Sequence, residues 1–142
     1  MMDSLIYLLD TNILSHLMKN PRGPVMRRIA ALGEEAICTS IIVASELRYG
    51  ADKKGSPKLA AKVEEILENI EVLPFDIDAD RHYGSIRSYL ENRGELIGPN
   101  DMLIAAHGRS LGLILVTDNT REYERVPDLT VENWLLPPPP TL

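Results

Sequence analysis

Five consecutive apolar residues, Leu5-Ile6-Tyr7-Leu8-Leu9, stop abruptly at Asp10-Thr11-Asn12. A run of that length without polar alternation fits a strand buried on both faces, as in a parallel sheet covered by helices. Asp, Thr and Asn favour turns and helix N-caps, so the strand hands over at once to a helix. Ile13-Leu14 and Leu17-Met18 give that helix its spacing, and Asn20-Pro21-Arg22-Gly23-Pro24 ends it. The same handover recurs near the other end of the chain. Leu113-Ile114-Leu115-Val116-Thr117 is a second buried run, and it closes on the polar turn Asp118-Asn119-Thr120-Arg121.

Between these runs the spacing predicts helices over 25–32, 41–51, 58–69, 78–92 and 99–111, and strands over 36–39 and 71–75. A short strand is expected near 129–131. Pro74 places the 71–75 strand near a sheet edge, and Pro99 suits the first position of its helix. Strands alternating with helices indicate an α/β domain with a mainly parallel central sheet. With 142 residues and no internal linker, one domain over 1–136 is expected, followed by an extended proline-rich tail over 137–142.

Composition narrows the class. Only 5% of residues are aromatic, so Leu, Ile, Val and Ala must form most of the core. The single Cys38 allows no internal disulfide and suits a reducing cytoplasm. No apolar run approaches the roughly 20 residues that cross a bilayer, and no basic leader precedes the first strand. A cytoplasmic protein without membrane contact is expected. The net charge of −6 argues against a broad basic surface that coats nucleic acid. It leaves room for an enzyme that gathers carboxylates, because setting four of them aside brings the balance to −2.

Those four are Asp10, Glu46, Asp101 and Asp118. Asp10 and Asp118 follow strands, where open α/β sheets build their sites. Helical spacing puts Asp101 on the stripe of Ile104, Ala105, Gly108 and Leu111, and puts Glu46 with Ile42, Val43, Tyr49 and Gly50. Both acids are thus expected on faces poor in water, with no Lys or Arg on either stripe within a turn. A half-buried carboxylate is costly without a cation or hydrogen bonds, and a hard divalent ion with all-oxygen ligands would satisfy several together. Singly, each acid has an ordinary explanation: an N-cap for Asp10, a first-turn residue for Asp101, a surface residue for Glu46, a turn residue for Asp118. Together they predict one shared metal site for Mg2+, with Mn2+ as the alternative.

Other chemistry finds little support. His16, His82 and His107 read as ordinary polar residues, and Cys38 as a buried strand residue without a base. No glycine-rich phosphate loop follows a strand, and no serine sits in a nucleophile elbow. Hydrolysis by metal-activated water is the reaction that remains.

Three segments are identifiable. Leu8-Leu9-Asp10-Thr11-Asn12, Ser45-Glu46-Leu47-Arg48-Tyr49-Gly50 and Gly98-Pro99-Asn100-Asp101-Met102-Leu103-Ile104-Ala105-Ala106-His107 resemble the signature segments of PIN-domain proteins. With the stretch from Leu115 to Val126, the ordered set resembles the VapC-type toxins of bacterial type II toxin–antitoxin pairs. The resemblance covers nearly the whole chain. It implies a three-layer α/β/α fold and a Mg2+- or Mn2+-dependent endoribonuclease. Asp10, Glu46 and Asp101 match the family's acidic metal-site positions, and Asp118 matches a fourth that varies among relatives. Asn12, Thr117 and Asn119 are candidates for supporting these acids. Arg48, Lys53, Lys54, Arg121 and Arg125 are candidates for guiding an RNA backbone. The resemblance further implies a homodimer, an RNA substrate such as transfer RNA, inhibition by a cognate VapB-type antitoxin, and contact with promoter DNA only through the antitoxin complex.

Two competing readings make distinct demands. A non-catalytic PIN-like module that binds RNA or protein predicts broken acidic positions, and this chain keeps all four. Phosphoaspartyl folds want a second acid where Thr11-Asn12 stand.

Overall fold

The computed structural model describes residues 4–137. Apart from Pro137, the proline-rich tail lies outside the described residues. Among the described residues, five strands and seven helices follow in order: β1 (Tyr7–Leu9), α1 (Thr11–Lys19), α2 (Pro24–Leu32), β2 (Ile37–Ser40), α3 (Ile41–Lys54), α4 (Pro57–Glu68), β3 (Glu71–Leu73), α5 (Ile77–Asn92), α6 (Pro99–Ser110), β4 (Ile114–Val116), α7 (Thr120–Tyr123) and β5 (Val131–Glu132). A short 3-10 turn at Glu34–Ala36 leads into β2.

The strands form one sheet in the order β3-β2-β1-β4-β5, and every pairing is parallel. From β1 the chain steps outward to β2 and β3, then crosses back to β4 and β5 on the other side. Crossovers between parallel strands are right-handed, so reversing direction moves the connecting helices to the opposite face. The α1–α4 helices contact one another, and α5 packs on α6. The result is an α/β domain with a parallel central sheet, as the alternation of elements predicts.

This topology also fixes where a site forms. In doubly wound sheets the crevice opens beyond the C-terminal ends of the strands where the winding reverses. Here that is the gap between β1 and β4, which pair Leu8 with Leu115 and Leu9 with Val116. The register extends one step further, since the Asp10 amide donates to the Val116 carbonyl at 2.9 Å.

The core is aliphatic, as the composition requires: Leu8, Leu9, Ile13, Leu14, Ile86, Leu90, Ile104 and Leu115 are wholly buried. Two aromatic residues join them. Trp134 packs edge-on against Tyr7 with ring centroids 5.1 Å apart, and Tyr123 is fully enclosed.

Several expectations shift. Helix α3 runs through Asp52-Lys53-Lys54, expected as loop, because polar residues propagate a helix without leaving an apolar period. It ends at Gly55, whose left-handed φ of 61° suits glycine. The last strand falls at Val131–Glu132, two residues beyond Leu129. Within the expected polar turn after Asp118, Thr120–Tyr123 is a helical turn, too short to show periodicity. Strand β3 is an edge and stops before Pro74, as its missing donor demands.

Candidate active site

Asp10 is the first residue beyond β1 and the N-cap of α1. Its carboxylate is 4% exposed and accepts two hydrogen bonds: Oδ1 from the Thr11 amide at 2.8 Å, and Oδ2 from the Thr117 hydroxyl at 2.8 Å. Thr117 follows β4 directly and is itself buried. Its oxygen also accepts the Asn119 amide at 3.0 Å, which orients its proton toward Asp10. A hydroxyl thus bridges the two strands at the point where the winding reverses.

Asp101 lies in the first turn of α6 and is half-buried. The Tyr123 hydroxyl donates to its Oδ1 at 3.0 Å. Gly98 approaches from the other side so closely that a Cβ there would stand 3.2 Å from Oδ2. Glu46, on the second turn of α3, is also half-buried. Its Oε1 accepts from the Thr11 hydroxyl at 2.5 Å, and its Oε2 from the Asn100 amide at 3.4 Å. The apolar face of α3 is narrower than its spacing suggested. Val43, Ala44, Leu47 and Ala51 are buried, whereas Tyr49 is 65% exposed, so Glu46 borders the buried stripe rather than sharing it.

These three carboxylates feel one another. Burial pushes the Asp10 carboxyl from an ordinary 3.8 up to about 6, against its two hydrogen bonds, and the charges of Asp101 and Glu46 push the same way. Asp101 is also raised, first by burial and then by the charges of Glu46 and Glu122, with the Tyr123 hydrogen bond opposing. Burial, with the charges of Asp10 and Asp101, holds Tyr123 far above the usual phenol range, so it stays a donor. Among the described residues no Lys, Arg or His forms an ion pair with Asp10, Glu46, Asp101 or Asp118.

Asp118 stands apart. It is exposed at the rim, where Asn12 donates to it at 3.1 Å, and its charge is not among those acting on Asp10 or Asp101. Asn119 holds Glu122 at 3.1 Å. Of the cations singled out in the sequence, Arg48 is committed to Glu64 through a two-pronged pair at 2.9 and 3.0 Å, and Lys53 lies 6.0 Å over the Tyr49 ring. Arg125 donates to the carbonyls of Glu95 and Leu96, while Lys54 lines a cleft beside Glu46. Arg121 is exposed on α7.

Sequence spacing missed Tyr123, Glu122, Asn100 and the Thr11 hydroxyl. All four act across long sequence separations or from a turn without a period. His107 is a correction: rather than an ordinary polar residue it is 1% exposed, 2.7 Å from the Ser40 hydroxyl that caps α3. Small residues on α6 let it pack on nearly every side, which hides its buried face from pattern reading.

Carboxylate donors that repel one another, with Asp10 and Asp101 raised and no ion pair to either among the described residues, suit a hard divalent ion. The fit is one of donor chemistry. Among the described residues no three His, Cys, Asp or Glu side chains are already gathered as an ion-binding cluster, each acid being held by its own neutral donor.

Comparison with known proteins identifies the family. The PIN domain family matches residues 7–129. The tRNA(fMet)-specific endonuclease VapC of Shigella flexneri is 43% identical over 129 residues, which is 90% of this chain and 97% of the relative. Ribonuclease VapC2 of Haemophilus influenzae is 41% identical over 130 residues, 91% of this chain and 98% of the relative. Among solved structures, DNA-bound VapBC from Salmonella typhimurium is similar with a TM-score of 0.86 at 40% identity, covering 92% of this chain and 98% of its counterpart. VapBC2 from Rickettsia felis, bound to a promoter DNA fragment, gives 0.85 at 34% identity over 92% and 99%. A parallel sheet with its acids at the winding reversal and a match along almost the entire chain place this protein in the PIN-domain family, within its VapC group.

Proposed function

We propose that this protein is a Mg2+- or Mn2+-dependent endoribonuclease that serves as the toxin of a VapBC-type pair. The observation that carries the reading is the coupling of Asp10, Glu46 and Asp101 at the β1/β4 crevice with no ion pair to any of them among the described residues. Asp10 and Asp101 would hold the ion directly, with Glu46 beside them and Asp118 at the rim. A divalent ion there supplies Lewis-acid stabilisation of charge growing on the phosphoryl oxygens and acidifies a water molecule.

The chain's own residues do the rest. Thr117 and the Thr11 amide fix the Asp10 carboxylate, and Tyr123 fixes that of Asp101, so little reorganisation is needed when substrate arrives. Buried walls around Asp10 keep the local dielectric low, which strengthens each charge interaction. Nothing in this set requires a ribose 2′-hydroxyl as nucleophile.

The relatives' names support RNA as substrate and transfer RNA as its class. Solved VapBC complexes, two of them with DNA, support a cognate antitoxin as inhibitor and promoter contact through that complex. A homodimer acting in the cytoplasm completes the reading. Brief induced expression followed by sequencing of RNA 5′ ends tests it. Wild type is expected to generate discrete new ends and growth arrest, both absent with Asp101→Asn at matched expression. The same ends from both proteins would overturn the assignment.

A further inference from the structure

Six residues along α6 from Asp101, His107 is buried, and its Nδ1 lies 2.7 Å from the Ser40 hydroxyl. Its ring meets Phe75 edge-on, with centroids 5.5 Å apart. Burial lowers the ring's affinity for a proton, against the pull of the Pro74 carbonyl and the Asp76 charge, so the ring is neutral at pH 7. Its Nε2 is buried without a hydrogen-bond partner among the described residues. A buried polar atom left unpaired costs free energy, and a leucine of similar bulk would avoid that cost. Packing alone therefore does not account for a histidine here. What the ring supplies is its bond to Ser40.

Ser40 closes β2 and caps α3, where its Oγ accepts the Ile42 amide at 3.0 Å. A hydroxyl that accepts there still has its proton to give, which fits a neutral ring with Nδ1 as acceptor. Ser40 stands six residues before Glu46, just as His107 stands six after Asp101. At the rise of a helix, each arm from this bond to its acid spans about 9 Å. Among the described residues two side-chain hydrogen bonds join α6 to α3 and its cap. The other runs from Asn100 to Glu46; it is exposed and 3.4 Å long. The short, buried bond at Ser40 is the firmer of the two.

We propose that His107 is a positioning residue: its bond to Ser40 locks α6 to the start of α3 and so sets the spacing of Asp101 and Glu46 for a small divalent ion. The inference rests on the reading that these acids share an ion, and it adds the residue that holds the two helices in register. Without the bond, α6 is free to shift against the α3 cap. Mg2+ suffers most from such a shift, because it demands near-octahedral geometry with short bonds, whereas Ca2+ accepts longer and more flexible ones.

Calorimetric titration of Mg2+ and of Ca2+ into the full chain, with a metal-free melting curve for each variant, tests this role. His107→Leu is expected to weaken Mg2+ binding about tenfold or more, with a smaller loss for Ca2+ and a melting temperature near wild type. His107→Asn places its amide where Nδ1 stands and restores most of the Mg2+ affinity. His107→Gln carries its amide past Ser40 and does not; this pair decides alone if His107→Leu fails to fold. Ile86→Val thins the buried core on α5, lowers the melting temperature and leaves both affinities as they were. Wild-type Mg2+ affinity in His107→Leu and His107→Gln overturns the proposal and leaves the shared ion standing. Equal losses in His107→Asn and His107→Gln, or Mg2+ affinity that follows melting temperature through every variant including Ile86→Val, assign His107 to packing and also overturn it. A wild type that takes up neither ion removes the shared-ion reading and the positioning role together.

Discussion

Asp10 and Asp118 both follow a strand at the reversal of the sheet, one residue after β1 and two after β4, yet their surroundings are opposite. Asp10 is enclosed, held by two donors and raised to about 6 by burial and by its acidic neighbours. Asp118 is exposed and touched by a single amide. Strand ends bring acids to the same rim, but only burial makes an acid's charge costly. That cost is free energy a bound cation would recover, so in the proposed reaction the enclosed side of the crevice carries the chemistry and the rim adjusts it.

The largest expected effect separates the two sides directly. Asp10→Asn or Asp101→Asn is expected to lower RNA cleavage by roughly 10³-fold or more, the scale of several kcal/mol of lost charge stabilisation. Asp118→Asn should lower it less than about tenfold. Equal losses in a single-turnover assay would erase the distinction between wall and rim.

Stability gives the next contrast, with a definite sign. The folded Asp10 pKa lies above its unfolded value, so the native state holds its proton longer. Stability therefore falls as pH rises from about 4 through about 6, by up to about 3 kcal/mol from this residue. Asp101 is raised too and contributes in the same direction. Asp10→Asn should lose much of that slope and melt above wild type at pH 7.5. A variant that melts no higher than wild type there would remove the claim that Asp10 is strained by burial.

Thr117→Val leaves Asp10 in place but takes away the hydroxyl that donates to Oδ2. A loss of about 1–3 kcal/mol is expected, with the acid limb of the activity profile moved to higher pH. An unmoved limb would mean that the hydroxyl does not tune Asp10. Smaller still is Gly98→Ala, whose methyl would press on Asp101 from 3.2 Å. Cleavage should drop a few-fold with the melting temperature near wild type; full activity would show that Asp101 yields freely.

Much of this was legible in the chain itself. Leu5–Leu9 and Leu113–Thr117 announce the two strands that frame the crevice, since unbroken apolar runs have few other uses in a small domain. Asp10 stands out because it ends such a run, and Asp101 because helical spacing puts it on the apolar stripe of Ile104, Ala105, Gly108 and Leu111 without a cation within a turn. Tyr123, Thr11, Asn100 and His107 stayed hidden, because their partners lie 22 to 67 residues away. No local period encodes a contact of that range. The end of α3 and the turn of α7 escaped for the converse reason: polar or very short segments form helix without a patterned face.

Calorimetric titration of Mg2+ into purified wild type, Asp10→Asn, Glu46→Gln and Asp101→Asn at pH 7.5 addresses the core of this account. Saturable uptake by wild type, sharply weakened in all three variants, is the expected outcome. Uptake that survives two of the three substitutions unchanged would show that these carboxylates do not converge on a common ion.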